Sequence, residues 1–401
     1  MSRIAKDTQS RPQRIVLYSH DTLGYGHLRR NLLIAAALSE MTPRPEILLI
    51  GGMREAGAFV LPAGVDCVTL PAYAKQGDGS YRPRDLGTDL TRLTALRSQM
   101  IRSAVEGFDP ELMIVDNVPR GAQYELDQAL AMLSHQKRCR VVLGLRDVID
   151  ESAVTRRQWL RQRNFETVRR HYDEVWIYGD PDIYDILTDC GMSGPIGAHC
   201  RFVGYLDPTG RRDSVQAAAD LAQVIGCDPR PYIYCAVGGG RDGVALCEAF
   251  AAAPLPDGHR GVLVTGTQMP EAQKTRIAAL SKGRDDLLVL PFLREPIDVM
   301  NRAARIVGMG GYNTTIEILA LRRASLIVPR CVPRREQVMR TERLAARGLV
   351  SMLLPGDLTP ATLGDWMAAP VPTPGYQLDM TGLSSVQALV RSAATPIPTA
   401  A

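Results

Sequence analysis

The sequence predicts an α/β protein built from two doubly wound, Rossmann-like domains that face each other across a cleft. Three observations carry this prediction. Short runs rich in β-branched residues alternate with segments of helical period, the pattern of a parallel sheet covered on both faces. That rhythm pauses over a polar, charged stretch at 207–229 and then restarts. Glycine turns stand where strands hand over to helices, and there such sheets bind their ligands.

Residues 1–12 read as a disordered lead, and the N-terminal domain spans 13–206. RIVLYS (14–19) is short, β-branched-rich and ended by polar residues, so it reads as a buried strand. LRRNLLIAAALSE (28–40) follows, with Leu28, Leu32, Ala35 and Leu38 at helical spacing. EILLIGG (46–52), CVTLP (67–71), ELMIVDN (111–117), RVVLGLRD (140–147), EVWIYGD (174–180) and RFVGYL (201–206) continue the strand series. The polar, charged stretch 207–229, helical in part, reads as the linker between the domains. The C-terminal domain, 230–370, restarts with YIYCAVGGG (232–240), GVLVTGT (261–267), LLVLPF (287–292), RIVGMGG (305–311) and SLIVPR (325–330). Residues 371–401, rich in Pro, Ala, Ser and Thr, read as a mobile tail.

Bulk properties exclude several classes. A chain of 401 residues can bury large cores without covalent staples. A net charge of +4 is too small to argue for a nucleic-acid partner. The eight cysteines form no CxxC pair, which fits neither a zinc site nor a disulfide scaffold. They read as free thiols of a cytoplasmic protein. MSRIAKDTQSRPQR lacks a signal core and no apolar run is long enough to span a bilayer. Peripheral contact at the inner face of a membrane is left open.

Four turns carry the chemistry. In SHDTLGYGHLRR (19–30), Gly24 and Gly26 permit a tight turn and close approach by a ligand, and His27 opens the next helix. An imidazole there suits a general base; a plain structural turn explains the glycines equally well. In VGGGRDG (237–243), the amides of Gly238, Gly239 and Gly240 can form an anion-binding concavity, with Arg241 to assist a phosphate. In GMGGYNTTIE (308–317), Thr314 and Glu317 have capping-box spacing. Glu317 in the first helical turn can also hold both hydroxyls of a ribose, with Asn313, Thr314 and Thr315 at an adjacent diphosphate. The two roles are compatible. In PRCVPRREQVMR (329–340), Arg330, Arg334, Arg335 and Arg340 lie near the same cleft, and Gln337 can exchange hydrogen bonds with sugar hydroxyls.

Taken together, the His27 glycine turn, the GGG turn, LPFLREPIDVM (290–300), GMGGYNTTIEILAL and VPRCVPRREQVMR resemble the GT-B glycosyltransferases. The nearest pattern is family 28, which includes the peptidoglycan N-acetylglucosaminyltransferase. The resemblance is strongest over 232–350, weaker over 14–40, and fails over about 80–200, which looks like a poorly characterised bacterial branch of predicted glycosyltransferases. It implies a nucleotide-sugar donor, usually UDP-linked, and no metal or other cofactor. It also implies roles. Glu317 holds the ribose. Gly310, Gly311, Asn313 and Thr314 line the diphosphate. Gly239 and Gly240 face the phosphate or sugar, and the backbone of Phe292 meets the base. Glu336 and Gln337 contact the donor sugar, and His27 is the base or orients the acceptor. The first loop carries fewer glycines than that of the peptidoglycan enzyme, so the acceptor is open: a hydroxyl of a cell-envelope or secondary-metabolite precursor.

The expected reaction is inverting transfer of a hexosyl or N-acetylhexosaminyl group, with Asp21 or Asp116 orienting His27 or replacing it. Acceptor-side candidates are Gly24, Tyr25 and Gly26 in the first loop and Asn117, Arg146 and Asp147 at strand ends, where a helix-capping role competes. TRRQWLRQRNFETVRRHYDE (155–174) is basic with Trp159 and Phe165 interleaved; a solvated helix and an anionic or membrane-facing surface both fit. A sugar-nucleotide 2-epimerase and a non-catalytic nucleotide-sugar-binding protein are the rival readings.

Overall fold

A computed structural model describes residues 12–20, 26–52, 60–76, 80–370 and 375–393. The lead predicted at 1–12 therefore lies almost wholly outside the described residues.

The N-terminal domain contains β1 (Arg14–Ser19), β2 (Glu46–Gly51), β3 (Val65–Thr69), the small hairpin β4 (Tyr73–Lys75) and β5 (Tyr81–Pro83), then β6 (Leu112–Asp116), β7 (Arg140–Arg146), β8 (Glu174–Tyr178) and β9 (Cys200–Phe202). Its main sheet runs β3-β2-β1-β6-β7-β8-β9, and every pairing in it is parallel. The C-terminal domain contains β10 (Tyr232–Ala236), β11 (Arg260–Val264), β12 (Leu287–Leu290), β13 (Arg305–Gly308), β14 (Ser325–Ile327) and β15 (Ser351–Met352). They form a second parallel sheet, ordered β12-β11-β10-β13-β14-β15.

In each sheet the chain starts near the middle, winds outward, then returns and winds the other way. The order therefore reverses between β1 and β6, and again between β10 and β13. At such a switch point the two helical connections part and leave a crevice beyond the strand ends. Sequence spacing alone fixes which residues stand there: those after Ser19, Asp116, Ala236 and Gly308.

The strands are buried because both faces are covered. Ile15, Val16, Leu17 and Tyr18 have no exposed surface, and the same holds across most of β6 and β7. Two segments differ from expectation. The helical part of the linker, Val215–Cys227, is not a free connection but packs on the helix Ile297–Arg302. It thus belongs physically to the C-terminal domain, with Ala217 and Val224 in its core. The tail contains the helix Gly382–Ala393, which returns to the N-terminal domain and packs on the helix Gly26–Ser39. Val386 and Val390 are fully buried, and the Gln387 side chain donates to the Ala37 carbonyl at 2.6 Å. Its polar composition concealed a narrow apolar stripe.

The basic segment 155–174 forms two helices, Ser152–Arg161 and Asn164–His171. Trp159 and Phe165 are buried against each other at 5.2 Å between ring centroids, so the aromatics are core and not a membrane-facing stripe. No helix among the described residues is long and apolar enough to cross a membrane.

Candidate functional site

The crevice at the first switch point holds one tight cluster. Asp116, the last residue of β6, is buried and takes both donors of Arg30 at 2.7 Å. The same carboxylate meets His27 Nδ1 in a short contact. Arg30 and His27 lie one turn apart on the helix Gly26–Ser39, so both reach the end of the adjacent strand. Burial alone would raise the Asp116 carboxyl. Arg30 and His27 outweigh it and hold the carboxyl well below the usual carboxylate range. Asp116 is therefore a fixed negative charge. An Arg30 nitrogen also lies 3.1 Å from His27 Nδ1, but two donors cannot share that contact, and the carboxylate is the stronger partner. With its Nδ1 proton given to Asp116, His27 presents Nε2. Its side chain is about one-fifth exposed, enough to meet a ligand.

His20, at the end of β1, packs its ring 4.5 Å from that of His27. Burial and the neighbouring His27 push its imidazole well below the ordinary histidine value, so it stays neutral beside the pair. Its buried Nδ1 has no partner among the described residues. Neither Arg30 nor His20 stood out in the sequence; the signal was available in the helical spacing of His27 and Arg30. Asp21, Gly24 and Tyr25 lie outside the described residues. Gly26 opens the helix, and its carbonyl accepts from Asn313 at 2.9 Å.

Asn313 belongs to the helix Tyr312–Leu321, which starts at the second switch point directly opposite. The first amides of a helix have no intrahelical partner and carry its positive end. Gly310 and Gly311 precede this start and differ in purpose. A Cβ at Gly310 would lie 3.1 Å from both Gln337 and Thr341, so this glycine makes room for the helix Glu336–Ala345. A Cβ at Gly311 would meet nothing within 4 Å; it borders open cleft. Gly310→Ala should destabilise the fold by about 1–3 kcal/mol through overpacking, while Gly311→Ala should leave stability unchanged. Paired chemical-denaturation curves check this, and equal losses would contradict it.

The predicted capping box does not form. Gly311 occupies the cap position, so Thr314 is already the third helical residue and Glu317 the sixth. The glycine turn, not Thr314, sets the helix start. Glu317 is buried and ion-paired with Arg211 of the linker, in a short contact on its Oε1. Arg211 also lies 3.6 Å from Glu295, so one cation balances two carboxylates. A small pocket between Arg29, Arg30, Arg211, Asn313 and Glu317 opens beside them.

The GGG turn follows β10. Gly238 and Gly240 both have positive φ. A Cβ at Gly240 would fall 2.2 Å from the Thr265 carbonyl, and the Gly240 amide donates to Val237. Gly240 is thus a packing glycine whose amide is already engaged, unlike the amides expected of an anion site. Gly238 faces open space and Gly239 lies against Gln268, with Arg241 exposed beside them. Phe292 is half-buried after β12, where Arg29 donates to the Arg294 carbonyl at 2.6 Å from the opposite domain. Gln337 accepts the Arg330 amide at 3.0 Å, which leaves its NH2 to donate. Glu336 takes Arg330 on Oε1 at 2.8 Å, and its buried Oε2 has no partner among the described residues. The buried Thr315 hydroxyl is likewise without one. Native folds rarely leave such groups unsatisfied.

Asp147 does not reach the cleft surface. It is fully buried between the domains, held by Arg340 at 2.8 Å and by the Tyr205 hydroxyl at 3.0 Å. Tyr312 seals the same junction. Its ring lies 5.3 Å from both the Arg30 and Arg340 guanidiniums, and its hydroxyl donates to the Tyr178 carbonyl at 2.9 Å. Asn117 and Arg146 remain in the cleft, joined at 3.3 Å.

No family model matches the chain and no curated protein matches its sequence. Solved structures do match in shape. The calicheamicin glycosyltransferase CalG4 is 14% identical with a TM-score of 0.56, over 95% of each chain. A UDP-GlcNAc 2-epimerase from Neisseria meningitidis, bound to UDP-GlcNAc, is 11% identical with a TM-score of 0.58, over 95% of this chain and 99% of the other. MurG from Acinetobacter baumannii is 13% identical with a TM-score of 0.53, over 94% and 95%. At such identities the likeness is one of fold: the chain has the GT-B architecture.

Proposed function

We propose that the protein is a glycosyltransferase that moves a hexosyl or N-acetylhexosaminyl group from a nucleotide sugar, in first place a UDP-sugar, to a hydroxyl acceptor, with inversion and without a metal. One observation carries the reading. An Asp116-held imidazole at one switch point faces, across a closed domain junction, the open start of the helix Tyr312–Leu321 at the other. The first arrangement suits a base and the second an anionic leaving group.

In this reading the acceptor hydroxyl oxygen attacks the anomeric carbon as the bond from that carbon to the diphosphate breaks. The hydroxyl proton passes to His27 Nε2, and Asp116 stabilises the imidazolium. The departing nucleoside diphosphate carries away the bonding pair. Its charge is met by the helix-start amides with Asn313 and Thr314, and by Gly238, Gly239, Gly311 and Arg241; Thr315, whose amide donates to the Gly311 carbonyl, stands behind them. Glu336 and Gln337 take sugar hydroxyls, and the Phe292 backbone meets the base. Glu317 keeps one oxygen on Arg211 and offers the other to the ribose. Glu317→Gln should then weaken binding of the cognate nucleotide about 10-fold or more, as expected for a lost charge-assisted hydrogen bond. Unchanged affinity by calorimetry would confine Glu317 to its ion pair.

The epimerase reading draws on the shared shape with a 2-epimerase. Proton NMR of the bound sugar nucleotide separates the two. A C2 stereoisomer appearing without acceptor would establish an epimerase, whereas a transferase releases nucleoside diphosphate and forms a glycoside only when an acceptor is supplied.

A further inference from the structure

Arg146 ends β7 inside the cleft, and it is the cation whose surroundings make least sense without a ligand. Among the described residues its side chain makes one hydrogen bond, from Nε to the Asn117 side chain at 3.3 Å, which leaves both terminal nitrogens of the guanidinium fork. Among the described residues no carboxylate lies within 4 Å of it. Each nearby acid has its own cation: Asp116 pairs with Arg30 and His27, Asp147 with Arg340, and Glu336 with Arg330 through Oε1 alone. Burial first, then the repulsion of Arg30 and Arg340, pushes its guanidinium down to about 10. It is still a cation at neutral pH, but one that costs the fold energy to hold.

Asn117 holds it there deliberately in the geometric sense. The residue adopts a positive φ of 63° at the end of β6 and donates its amide to the Gly144 carbonyl at 2.7 Å. That bond ties the ends of β6 and β7 together and aims the Asn117 oxygen at Arg146. Nearby, the buried His20 Nδ1 has no partner among the described residues. A guanidinium fork positioned by a neutral amide, a short way from the His27–Asp116 pair, is built for a planar or tetrahedral anion.

Resting on the transferase reading above, we propose that Arg146, positioned by Asn117, binds a second anionic group of the substrate, a carboxylate or phosphate distinct from the donor's diphosphate. That group belongs either to the transferred sugar, as in a uronic acid, or to the acceptor, as in a sugar phosphate or carboxylated precursor. The chemistry is shared and the site is one.

The test uses the full chain, wild type, Arg146→Gln and Arg146→Lys. Chemical denaturation of the free protein comes first. A cation without a counterion gives nothing to the fold, so Arg146→Gln should be as stable as wild type or more so. A clearly lower denaturation midpoint in Arg146→Gln would make Arg146 a structural residue and overturn the proposal. Phosphate binding is then titrated with the nucleoside diphosphate that best stabilises the protein present at saturation. Wild type should bind phosphate about 10- to 100-fold more tightly than Arg146→Gln, with Arg146→Lys intermediate because it keeps charge but loses the fork. Equal phosphate affinity in wild type and Arg146→Gln overturns the proposal. So does a loss confined to the nucleoside diphosphate, which would make that diphosphate the ligand of Arg146. UDP-glucose and UDP-glucuronate, differing in one carboxylate, separate the sources. An Arg146-dependent preference for the glucuronate places the anion on the sugar; no preference, with Arg146-dependent phosphate binding, places it on the acceptor. If no nucleotide binds, the transferase reading fails, while the phosphate titration of the free protein still decides the anion site.

Discussion

Replacing His27 with alanine should reduce turnover of the cognate sugar nucleotide by about 10²- to 10⁴-fold, the usual worth of a positioned general base, and leave nucleotide affinity unchanged. The separation is expected because the two functions lie on different domains. His27 sits on the N-terminal helix, whereas the proposed nucleotide groove lies at the strand ends of the C-terminal sheet. The substitution is also structurally mild. The imidazole is part-exposed, and the buried Arg30–Asp116 pair survives its removal. Asp116→Asn is the less clean probe, since it strips Arg30 of its counterion in a buried setting. Single-turnover rates and calorimetric titration of the same His27→Ala preparation check the split. Full-rate turnover would remove His27 as the base.

The second large effect is on stability. Arg340 and Asp147 form an ion pair that is 1% and 0% exposed at the domain junction. Arg340 also donates to the Val148 carbonyl at 3.2 Å. Removing one member leaves the other charged and buried, so Arg340→Met should cost about 3–5 kcal/mol. Replacing both, as Arg340→Met with Asp147→Leu, should recover much of that loss, because two desolvation penalties vanish together. Denaturation of the two single variants and the double variant measures the coupling. Additive losses would show that the pair does not act as a unit. The pair also ties the helix Glu336–Ala345 to the end of β7, so weakening it should loosen the domains as well as the fold.

Most of the architecture was legible because buried parallel strands are nearly continuous apolar runs. RIVLYS matches β1 residue for residue, and YIYCA, LLVL and RIVG each begin where their strand begins. The two-residue β15 and the hairpin of β4 and β5 carry too little apolar sequence to announce themselves. The His27–Asp116 pair was accessible in principle, since both residues end or follow strands that neighbour at a switch point. Asp116 and Asp147 were not separable. Each is an aspartate ending or following one of two adjacent strands, and only the packing of the other domain decides which one faces the cleft and which is sealed by Arg340. Likewise Thr314 and Glu317 have ideal capping spacing, yet the helix begins two residues before Thr314. Local spacing shows what a residue can do, and the glycine turn before it decides whether it does.

The central claim is that the C-terminal groove holds a nucleoside diphosphate. Its most direct test is thermal unfolding of the purified chain against a panel of nucleoside diphosphates and sugar nucleotides. A ligand that binds only the folded state raises the melting temperature once its concentration exceeds its dissociation constant. Selective stabilisation by one nucleoside diphosphate and its sugar conjugate, strongly reduced in Glu317→Gln and retained in His27→Ala, is the predicted result. No stabilisation by any nucleotide at millimolar concentration would contradict it and leave a GT-B fold serving a different ligand.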